Sequence, residues 1–289
     1  MNRLVAAPWL TIITGHYGVG KTNLSLNLAR DLRAEAQKVT LVDLDLVNPY
    51  FRTTDNRGFL EACDIRVLGP VYGASSLDTP SLTPGIDEAI VEASLEHAVV
   101  IDVGGDPEGA RALGRFAEKI TSRPYRMIHV VNLRRPETAS VDDNIALLRA
   151  VEATSGLRVT SIAGNTHLKE LSTAEDIVAA IVPTCDIAAV AGLPLSFVAV
   201  PRRLAVEVQA ALAKGDPVQR IGTPAKGDPV QRIGAPAKGD PVQRIGAPAK
   251  GTPAQGVGTP AEGNPARGSD TAGTPVYPID IIVGTPWEA

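Results

Sequence analysis

Residues 15–22 read GHYGVGKT, and they join an apolar run, LTIIT, to an amphipathic run that begins NLSLNLARDLRAE. Glycines in such a loop let successive backbone N–H groups turn toward phosphate oxygens, and the start of the following helix adds the positive end of its dipole. Lys21 can neutralise charge on the β- and γ-phosphates, and the hydroxyl of Thr22 can bind Mg²⁺. The order of strand, glycine loop and helix therefore predicts a P-loop that binds a nucleoside triphosphate with Mg²⁺.

The predicted contacts with the nucleotide cover the whole loop and the residue that follows it. They are Gly15, His16, Tyr17, Gly18, Val19, Gly20, Lys21, Thr22 and Asn23. A glycine-rich turn that binds nothing is the alternative interpretation. It is disfavoured because four specified positions match within a strand, loop and helix context.

Apolar runs alternate with amphipathic runs from Trp9 to Ala213. This alternation predicts an α/β fold with a mostly parallel, doubly wound sheet, as in P-loop NTPases. The predicted strands are Trp9–Thr14, Lys38–Asp43, Ile65–Leu68, Ala98–Val103, Arg126–Asn132, Val159–Gly164 and Phe197–Val200. The predicted helices are Asn23–Glu35, Ile86–Glu96, Pro107–Thr121, Pro136–Thr154, Ala174–Val182 and Arg202–Lys214. Ligands of such sheets bind beyond the carboxyl ends of the strands.

Acidic residues stand at the ends of two further predicted strands. The run VTLVDLD ends in Asp43 and Asp45, and the run VVIDVGG places Asp102 before a glycine pair. An apolar strand that ends in aspartate is the pattern of a Walker B segment, and a glycine pair behind it suits a γ-phosphate switch. Each carboxylate could instead cap the next helix, but three of them follow one P-loop in chain order.

Composition excludes several classes of function. The net charge of −4 and the pI near 5.6 give no overall positive field, so nucleic-acid binding is not expected. Cys63 and Cys185 are far apart and the four histidines lack metal-ligand spacing, so no zinc or iron–sulfur site is expected. The start MNRLVAAPWLTIITG is typical of a first strand rather than a signal peptide, and no apolar run could span a bilayer. We expect a cytoplasmic protein that does not bind membranes.

The composition changes abruptly after a nucleotide-binding domain predicted over residues 1–213. The unit KGDPVQRIGTPA begins at Lys214 and recurs with a period of twelve residues from Lys226 and Lys238, then decays from Lys250. Each unit holds two prolines and few apolar groups, which predicts disorder over 214–274; stacking repeats usually have longer units. The final segment, 275–289, contains VYPIDIIV, and we expect it to dock back on the domain as a strand or extended arm.

Three runs together resemble the CobQ/CobB/MinD/ParA group of nucleotide-binding domains, also described as MinD/ParA/CbiA-type P-loop proteins. They are GHYGVGKTNLSLNLA, LVDLDLVNPYFR and VVIDVGGDPEGA, and the resemblance spans roughly residues 9–213. The last two runs are also similar to a subgroup of bacterial ATP-binding proteins. The resemblance implies a Mg²⁺-dependent ATPase that acts as a switch and commonly dimerises with ATP between the subunits.

The resemblance also implies roles for individual residues. Lys21 and Asp45 would act in catalysis, with Asp45 holding the attacking water. Mg²⁺ would be held by Thr22 and, through water, by Asp43 and Asp102. Gly105 would report the γ-phosphate. The base would contact Asn165, which would bond the adenine edge, and Pro201, which would flank the ring.

One position departs from the pattern of MinD and ParA. Those proteins carry a signature lysine that reaches the partner's phosphate across the dimer, and this chain has His16 there. His16 could serve as a protonatable substitute, because a polyphosphate raises the pKa of a nearby imidazole. It could equally be a spacer that packs beside Tyr17.

Two functions from different classes remain open. The first is a slow, partner-stimulated ATPase whose nucleotide states differ in affinity for an unidentified protein partner, through the segments Asp43–Arg57 and Gly104–Gly109. The second is an ATP-dependent ligase, amide synthetase or small-molecule kinase, for which the segment 69–85 could line a substrate pocket. ATP is favoured over GTP because the run after Gly164 lacks an NKxD sequence.

Overall fold

The computed structural model describes residues 9–36, 38–45, 56–69, 85–105, 107–214 and 274–283, which all belong to one compact unit. These residues form eight strands: β1 Leu10–Gly15, β2 Lys38–Leu44, β3 Arg66–Leu68, β4 His97–Val103, β5 Arg126–Val131, β6 Ser161–Gly164, β7 Leu195–Pro201 and β8 Val276–Ile279. They make one sheet in the order β3-β2-β4-β1-β5-β6-β7-β8, and every pairing in it is parallel. The predicted α/β P-loop fold is confirmed.

Helices connect the strands and cover both faces of the sheet. They are α1 Lys21–Arg33, α2 Arg57–Ala62, α3 Ile86–Glu92, α4 Pro107–Gly114, α5 Ala117–Thr121, α6 Val141–Ser155, α7 Ala174–Ala179, α8 Ile181–Ala191 and α9 Ala205–Lys214. Short 3₁₀ turns cover Pro136–Thr138, Lys169–Leu171 and Arg202–Leu204. Among the described residues, no helix combines the length and the apolar character needed to cross a bilayer.

Successive apolar residues of the central strands pack on opposite faces of the sheet. In β1, Ile13 packs with α1 in one core cluster, whereas Ile12 packs with Leu113 of α4 and Leu148 of α6 in another. All residues of β1 and β4 are buried. Burial on both faces explains why these strands are nearly continuous apolar runs rather than alternating ones.

Helix boundaries differ from the sequence prediction in several places, and α2 was not predicted. The helix predicted over Ile86–Glu96 ends at Glu92, and those predicted over Pro136–Thr154 and Arg202–Lys214 each begin as a 3₁₀ turn. The run predicted as one helix over Pro107–Thr121 is two helices, α4 and α5, because the chain turns at Gly114 against the end of α6. A Cβ on Gly114 would lie 3.2 Å from the carbonyl oxygen of Thr154, so close packing against α6 uses a residue without a side chain. Likewise, the helix predicted over Ala174–Val182 ends at Ala179, and α8 continues from Ile181 to Ala191.

Helix starts in the second half of the chain follow local capping rules. The side chain of Ser140 accepts a hydrogen bond from the backbone N–H of Asp143 and begins α6. Thr173 and Asp176 form a capping box at the start of α7. Gly156 and Gly192 end α6 and α8 with left-handed backbone conformations.

Several predicted segments lie outside the described residues. These are most of the first switch, within residues 46–55, the proposed pocket segment at 70–84 and the repeats at 215–273. The segment after the repeats returns to the sheet, where β8 pairs with β7 from Val276 opposite Val198 to Ile279 opposite Pro201. The parallel sheet therefore ends at a strand contributed from the far end of the chain.

Candidate nucleotide-binding site

The glycine loop between β1 and α1 is held tightly against β6. Gly20 has a positive φ of 90°, and a Cβ at this position would lie 2.3 Å from Nδ2 of Asn165. An L side chain is therefore excluded both by conformation and by space. Val19 is fully buried in the core beside α1, and it anchors the loop that carries the predicted phosphate contacts.

Lys21 lies folded over its own loop. Its Nζ donates a hydrogen bond to the carbonyl oxygen of His16 at 2.9 Å, and the side chain is almost completely buried. Nδ1 of His16 is 3.1 Å from the carbonyl oxygen of the neighbouring Tyr17, whose side chain is half exposed. The ammonium group thus sits inside the loop, where a P-loop lysine meets the β- and γ-phosphates.

Asp43 and Asp102 lie side by side at the carboxyl edge of the sheet. They are direct partners in the pairing of β2 with β4, and both are buried. Ser25 of α1 donates its hydroxyl to Oδ1 of Asp102 at 3.2 Å, and the backbone N–H of Asp45 donates to Oδ1 of Asp43 at 3.0 Å. Two strands and α1 therefore bring the predicted acidic residues together.

This donor set fits Mg²⁺ rather than a metal held by protein groups alone. Among the described residues, no three acidic, histidine or cysteine side chains are grouped so that they could hold a metal by themselves. Mg²⁺ usually keeps several waters and takes one or two protein oxygens together with phosphate oxygens. The hydroxyl of Thr22 and the carboxylates of Asp43 and Asp102 are oxygen donors of that kind.

The loop after β4 touches both the P-loop and Asp45. A Cβ on Gly105 would lie 2.4 Å from the backbone nitrogen of Tyr17, so only glycine allows this close approach. A Cβ on the neighbouring Gly104 would lie 3.2 Å from Oδ1 of Asp45. Gly105, the predicted γ-phosphate reporter, thus lies against the P-loop, and Asp45, the predicted water-positioning residue, lies beside Gly104.

Asn165 follows β6 and braces the P-loop through its side chain. Its Nδ2 donates to the carbonyl oxygen of Val19 at 2.7 Å, and its Oδ1 lies 2.9 Å from Nε2 of His167. Nδ1 of His167 accepts from the backbone N–H of Lys169 at 3.2 Å, which assigns the ring proton to Nε2. Burial, with Arg203 and Lys169 nearby, lowers the pKa of His167 to about 4, so the ring is neutral. Both polar atoms of the Asn165 side chain, the predicted adenine contact, are thus hydrogen-bonded within the protein.

The residues predicted to lie near the base contact the segment after β8. Pro201 ends β7, and the next residue, Arg202, donates from Nε to Oδ1 of Asp280 at 2.7 Å. Asn23, expected to contact the nucleotide, also contacts the C-terminal segment: its Nδ2 donates to the carbonyl oxygen of Asp280 at 3.0 Å. These contacts place the C-terminal segment beside the start of α1 and the loop after β7.

Sequence reasoning missed the roles of Arg135, His167 and Asp280. Nε of Arg135 donates to the carbonyl oxygen of Gly18 at 2.9 Å, which brings a cation onto the P-loop. The adjacent arginines Arg134 and Arg135 are a sequence feature that can mark a local anion site. His167 and Asp280 gave no local signal, because their partners are set by the packing of separate strands.

Three solved structures illustrate the fold-level similarity. The 54 kDa protein of the signal recognition particle from Aeropyrum pernix K1, in complex with GDP, is 18% identical over 67% of this chain and 42% of that one, with a TM-score of 0.44. The receptor FtsY from Elizabethkingia anophelis, in complex with GDP, is 15% identical over 68% and 57%, with a TM-score of 0.42. FtsY from Thermotoga maritima is 22% identical over 69% and 65%, with a TM-score of 0.43. The matched region spans less than two thirds of each of these proteins.

Comparison of the sequence with curated proteins gave no match. The family described as "CobQ/CobB/MinD/ParA nucleotide binding domain" matches residues 10–178, which is more than half of the 289 residues. This match contains the P-loop, the acidic ends of β2 and β4, and Asn165. The chain belongs to the CobQ/CobB/MinD/ParA nucleotide-binding domain family.

Proposed function

We propose that this protein binds ATP with Mg²⁺ and hydrolyses it slowly, as a switch that changes its affinity for a protein partner. The observation that carries this proposal is the close approach of Gly105 to the P-loop at Tyr17, beside Asp45. A group bound at the γ-phosphate position would have to contact or displace this loop. The presence of that phosphate would thereby change the surface around Gly104–Gly109, which is what a nucleotide switch requires.

The residues of the site support distinct parts of the reaction. Lys21 exchanges its bond to His16 for the β- and γ-phosphates, and Asp45 orients the attacking water and accepts its hydrogen bond. The bond from the γ-phosphorus to the bridging oxygen breaks as the bond to the water oxygen forms, which yields ADP and phosphate. Mg²⁺, when bound through Thr22, Asp43 and Asp102, supplies positive charge to the phosphate oxygens.

ATP is the proposed nucleotide, because the run Asn165-Thr166-His167-Leu168 lacks the NKxD sequence associated with guanine selection. Asn165 is engaged by Val19 and His167, which leaves base recognition to the groups around Pro201 and the C-terminal segment. We further propose that the ATP-bound form dimerises in the cytoplasm. In such a dimer, His16 would stand at the position of the signature lysine, as a substitute for it or as a spacer.

Phosphate release and molar mass, measured on the same sample, test this proposal. The full-length chain is required, because truncation after Lys214 would remove β8 from the sheet. We expect slow phosphate release from ATP with Mg²⁺, and a larger mass by light scattering with a non-hydrolysable ATP analogue than with ADP. A protein that is monomeric with both nucleotides, and releases phosphate only when a small carboxylate and amine are supplied, would instead be a ligase or amide synthetase. Formation of ADP without free phosphate when a small acceptor is supplied would indicate a kinase.

A further inference from the structure

Asp280 connects three separate elements of the fold. Its carboxylate accepts hydrogen bonds from NH1 of Arg30 in α1 at 2.6 Å, and from Nε and NH2 of Arg202 after β7 at 2.7 and 3.1 Å. Its backbone N–H donates to Oδ1 of Asn27 at 2.8 Å, and its carbonyl oxygen accepts from Nδ2 of Asn27 at 2.8 Å. One residue beyond β8 thus ties α1 to the loop that follows β7.

Asn23 extends this connection to the P-loop. It is the residue after Thr22, and its Oδ1 accepts from the backbone N–H of Ile282 at 2.8 Å and of Val283 at 3.2 Å. Its Nδ2 donates to the carbonyl oxygen of Asp280. The side chain that immediately follows the phosphate-binding loop is therefore occupied by the C-terminal segment on both of its polar atoms.

Buried apolar side chains hold the C-terminal segment, residues 274–283, against the sheet. Tyr277 and Ile279 are fully buried, and the ring of Tyr277 meets that of Phe197 edge-to-face with centroids 5.2 Å apart. The hydroxyl of Tyr277 donates to Oδ2 of Asp31 at 2.8 Å. This anchor belongs to the same segment as Asp280, and its hydroxyl bonds α1 through Asp31.

The charge of Asp280 suits its place between two arginines. Hydrogen bonds from Arg202, and then from Arg30, lower the pKa of its carboxyl group, with burial acting in the opposite direction. The group is therefore ionised at neutral pH, and its bonds to both guanidinium groups are charge-assisted. Such bonds fix the direction of a guanidinium group more firmly than a single neutral hydrogen bond does.

We propose that Asp280 is a positioning residue that ties Arg202, the residue after Pro201, to Arg30 of α1 and so sets affinity and selectivity for the nucleotide base. This inference rests on the proposed function, and it states which residue holds the base end of the proposed site in place. Loss of the carboxylate frees the side chain of Arg202 at the end of β7, while the P-loop keeps its own contacts through Lys21 and Asn165. The effect should therefore fall on the base and not on the phosphates.

The test compares Asp280→Ala with Tyr277→Phe in the full-length chain. Tyr277→Phe is the matched control, because it removes one buried hydrogen bond from the same segment. Dissociation constants are measured for ATP, GTP and inorganic tripolyphosphate, each with Mg²⁺. For Asp280→Ala we expect the constant for ATP to rise roughly 10-fold and the ATP-to-GTP preference to shrink, with tripolyphosphate and kcat at saturation within about 2-fold of wild type. Tyr277→Phe should keep the wild-type preference.

Asp280→Asn gives a second variant if the alanine variant does not fold, because it keeps the side-chain volume and the backbone bonds while removing the charge. It should show the same loss of base preference, and Asp280→Glu should restore part of it. The inference is overturned if Asp280→Ala weakens ATP and tripolyphosphate equally, or if Tyr277→Phe and Asp280→Ala change base preference alike. A wild-type protein that binds no nucleotide overturns the proposed function together with this inference.

Discussion

At the phosphate end of the site, Lys21 bonds a residue five positions away and Asp45 bonds a residue two positions away. At the base end, Asp280 bonds Arg30, which lies 250 positions away, and Arg202, which lies 78 positions away. The phosphate end thus combines these short-range bonds with longer ones from Arg135 and Asn165, whereas every bond of Asp280 joins segments far apart in the chain. We therefore expect substitutions at the phosphate end and at the proposed base end to alter triphosphate binding and base selection separately.

The largest effect is expected from a substitution at the phosphate end that leaves the C-terminal segment in place. Lys21→Ala should raise the dissociation constant for ATP by roughly 1,000-fold, because a buried cation facing the phosphates is lost. Isothermal titration measures this constant. The hydrogen bonds that residues 277–283 make with α1 run to Asn23, Asn27, Arg30 and Asp31. The C-terminal segment should therefore stay docked, and hydrogen exchange at Ile282 and Val283 should be unchanged.

Lys119→Ala is the control for that variant, because Lys119 makes a surface ion pair with Asp87 and both side chains are about half exposed. It should bind ATP like wild type. Faster exchange at Ile282 in Lys21→Ala would contradict the separation of the two ends.

The second effect separates binding from chemistry within the phosphate end. Asp45→Ala should lower kcat for ATP hydrolysis by about 100-fold while the dissociation constant for ATP stays within about 2-fold. The substitution removes the group proposed to orient water but keeps the backbone N–H that donates to Asp43. Asp186→Ala, at an exposed position of α8, is the control for loss of a carboxylate. Normal hydrolysis by Asp45→Ala would show that another residue orients the water.

A third and smaller effect is expected where β6 meets the P-loop. Gly20→Ala should raise the dissociation constant for ATP about 10-fold and lower the free energy of unfolding by about 2 kcal/mol, owing to the positive φ and the contact with Asn165. Denaturant titration and nucleotide binding give the two values. Gly58→Ala is the control, since a Cβ at Gly58 in α2 meets no atom within 4 Å. Equal effects of the two substitutions would exclude the contact with Asn165 as the cause.

The smallest expected effect is a difference in acid sensitivity between the ends. Burial, and then the nearby charge of Lys21, lowers the pKa of His129 from 6.5 to about 4, so the folded protein holds this ring neutral beside Thr14. Below pH 6.5 the His129 ring binds a proton in the unfolded chain, whereas in the folded chain it stays neutral until the pH approaches 4. Stability should therefore fall as pH drops from 6.5 toward 4, with a loss of about 1 kcal/mol at pH 5.5.

Asp280 should act in the other part of the pH range. Its lowered pKa means that its stabilising contribution is present above the unfolded value, near 3.8, and is lost only as pH falls below it. Urea unfolding of wild type and His129→Leu between pH 7.5 and 4.5 tests whether His129 causes the loss of stability at low pH. The free energy of unfolding of His129→Leu should depend less on pH than that of wild type. If the two proteins show the same dependence, His129 is not the source of the loss of stability at low pH.

Much of the fold could be predicted, because parallel strands and their helices leave strong local patterns. β1 and β4 read as apolar runs, and Asp43 and Asp102 mark the ends of their strands as clearly as the glycine loop marks the start of α1. The split between α4 and α5 could not be predicted in the same way. It depends on how closely Gly114 approaches Thr154 of α6, and no property of the segment 107–121 alone encodes that approach.

The candidate site divides along the same line. GHYGVGKT, with the acidic strand ends, by itself determined a P-loop and the oxygen donors expected to suit Mg²⁺, because each of these depends on a few neighbouring residues. Only the tertiary structure decided that Asn165 braces the loop through Val19 and His167, that Arg135 reaches Gly18, and that Asp280 joins Asn27, Arg30 and Arg202. The physical reason is that these hydrogen bonds require strands β5 to β8 and α1 to be packed side by side, and packing brings together residues whose separation in the chain carries no signal.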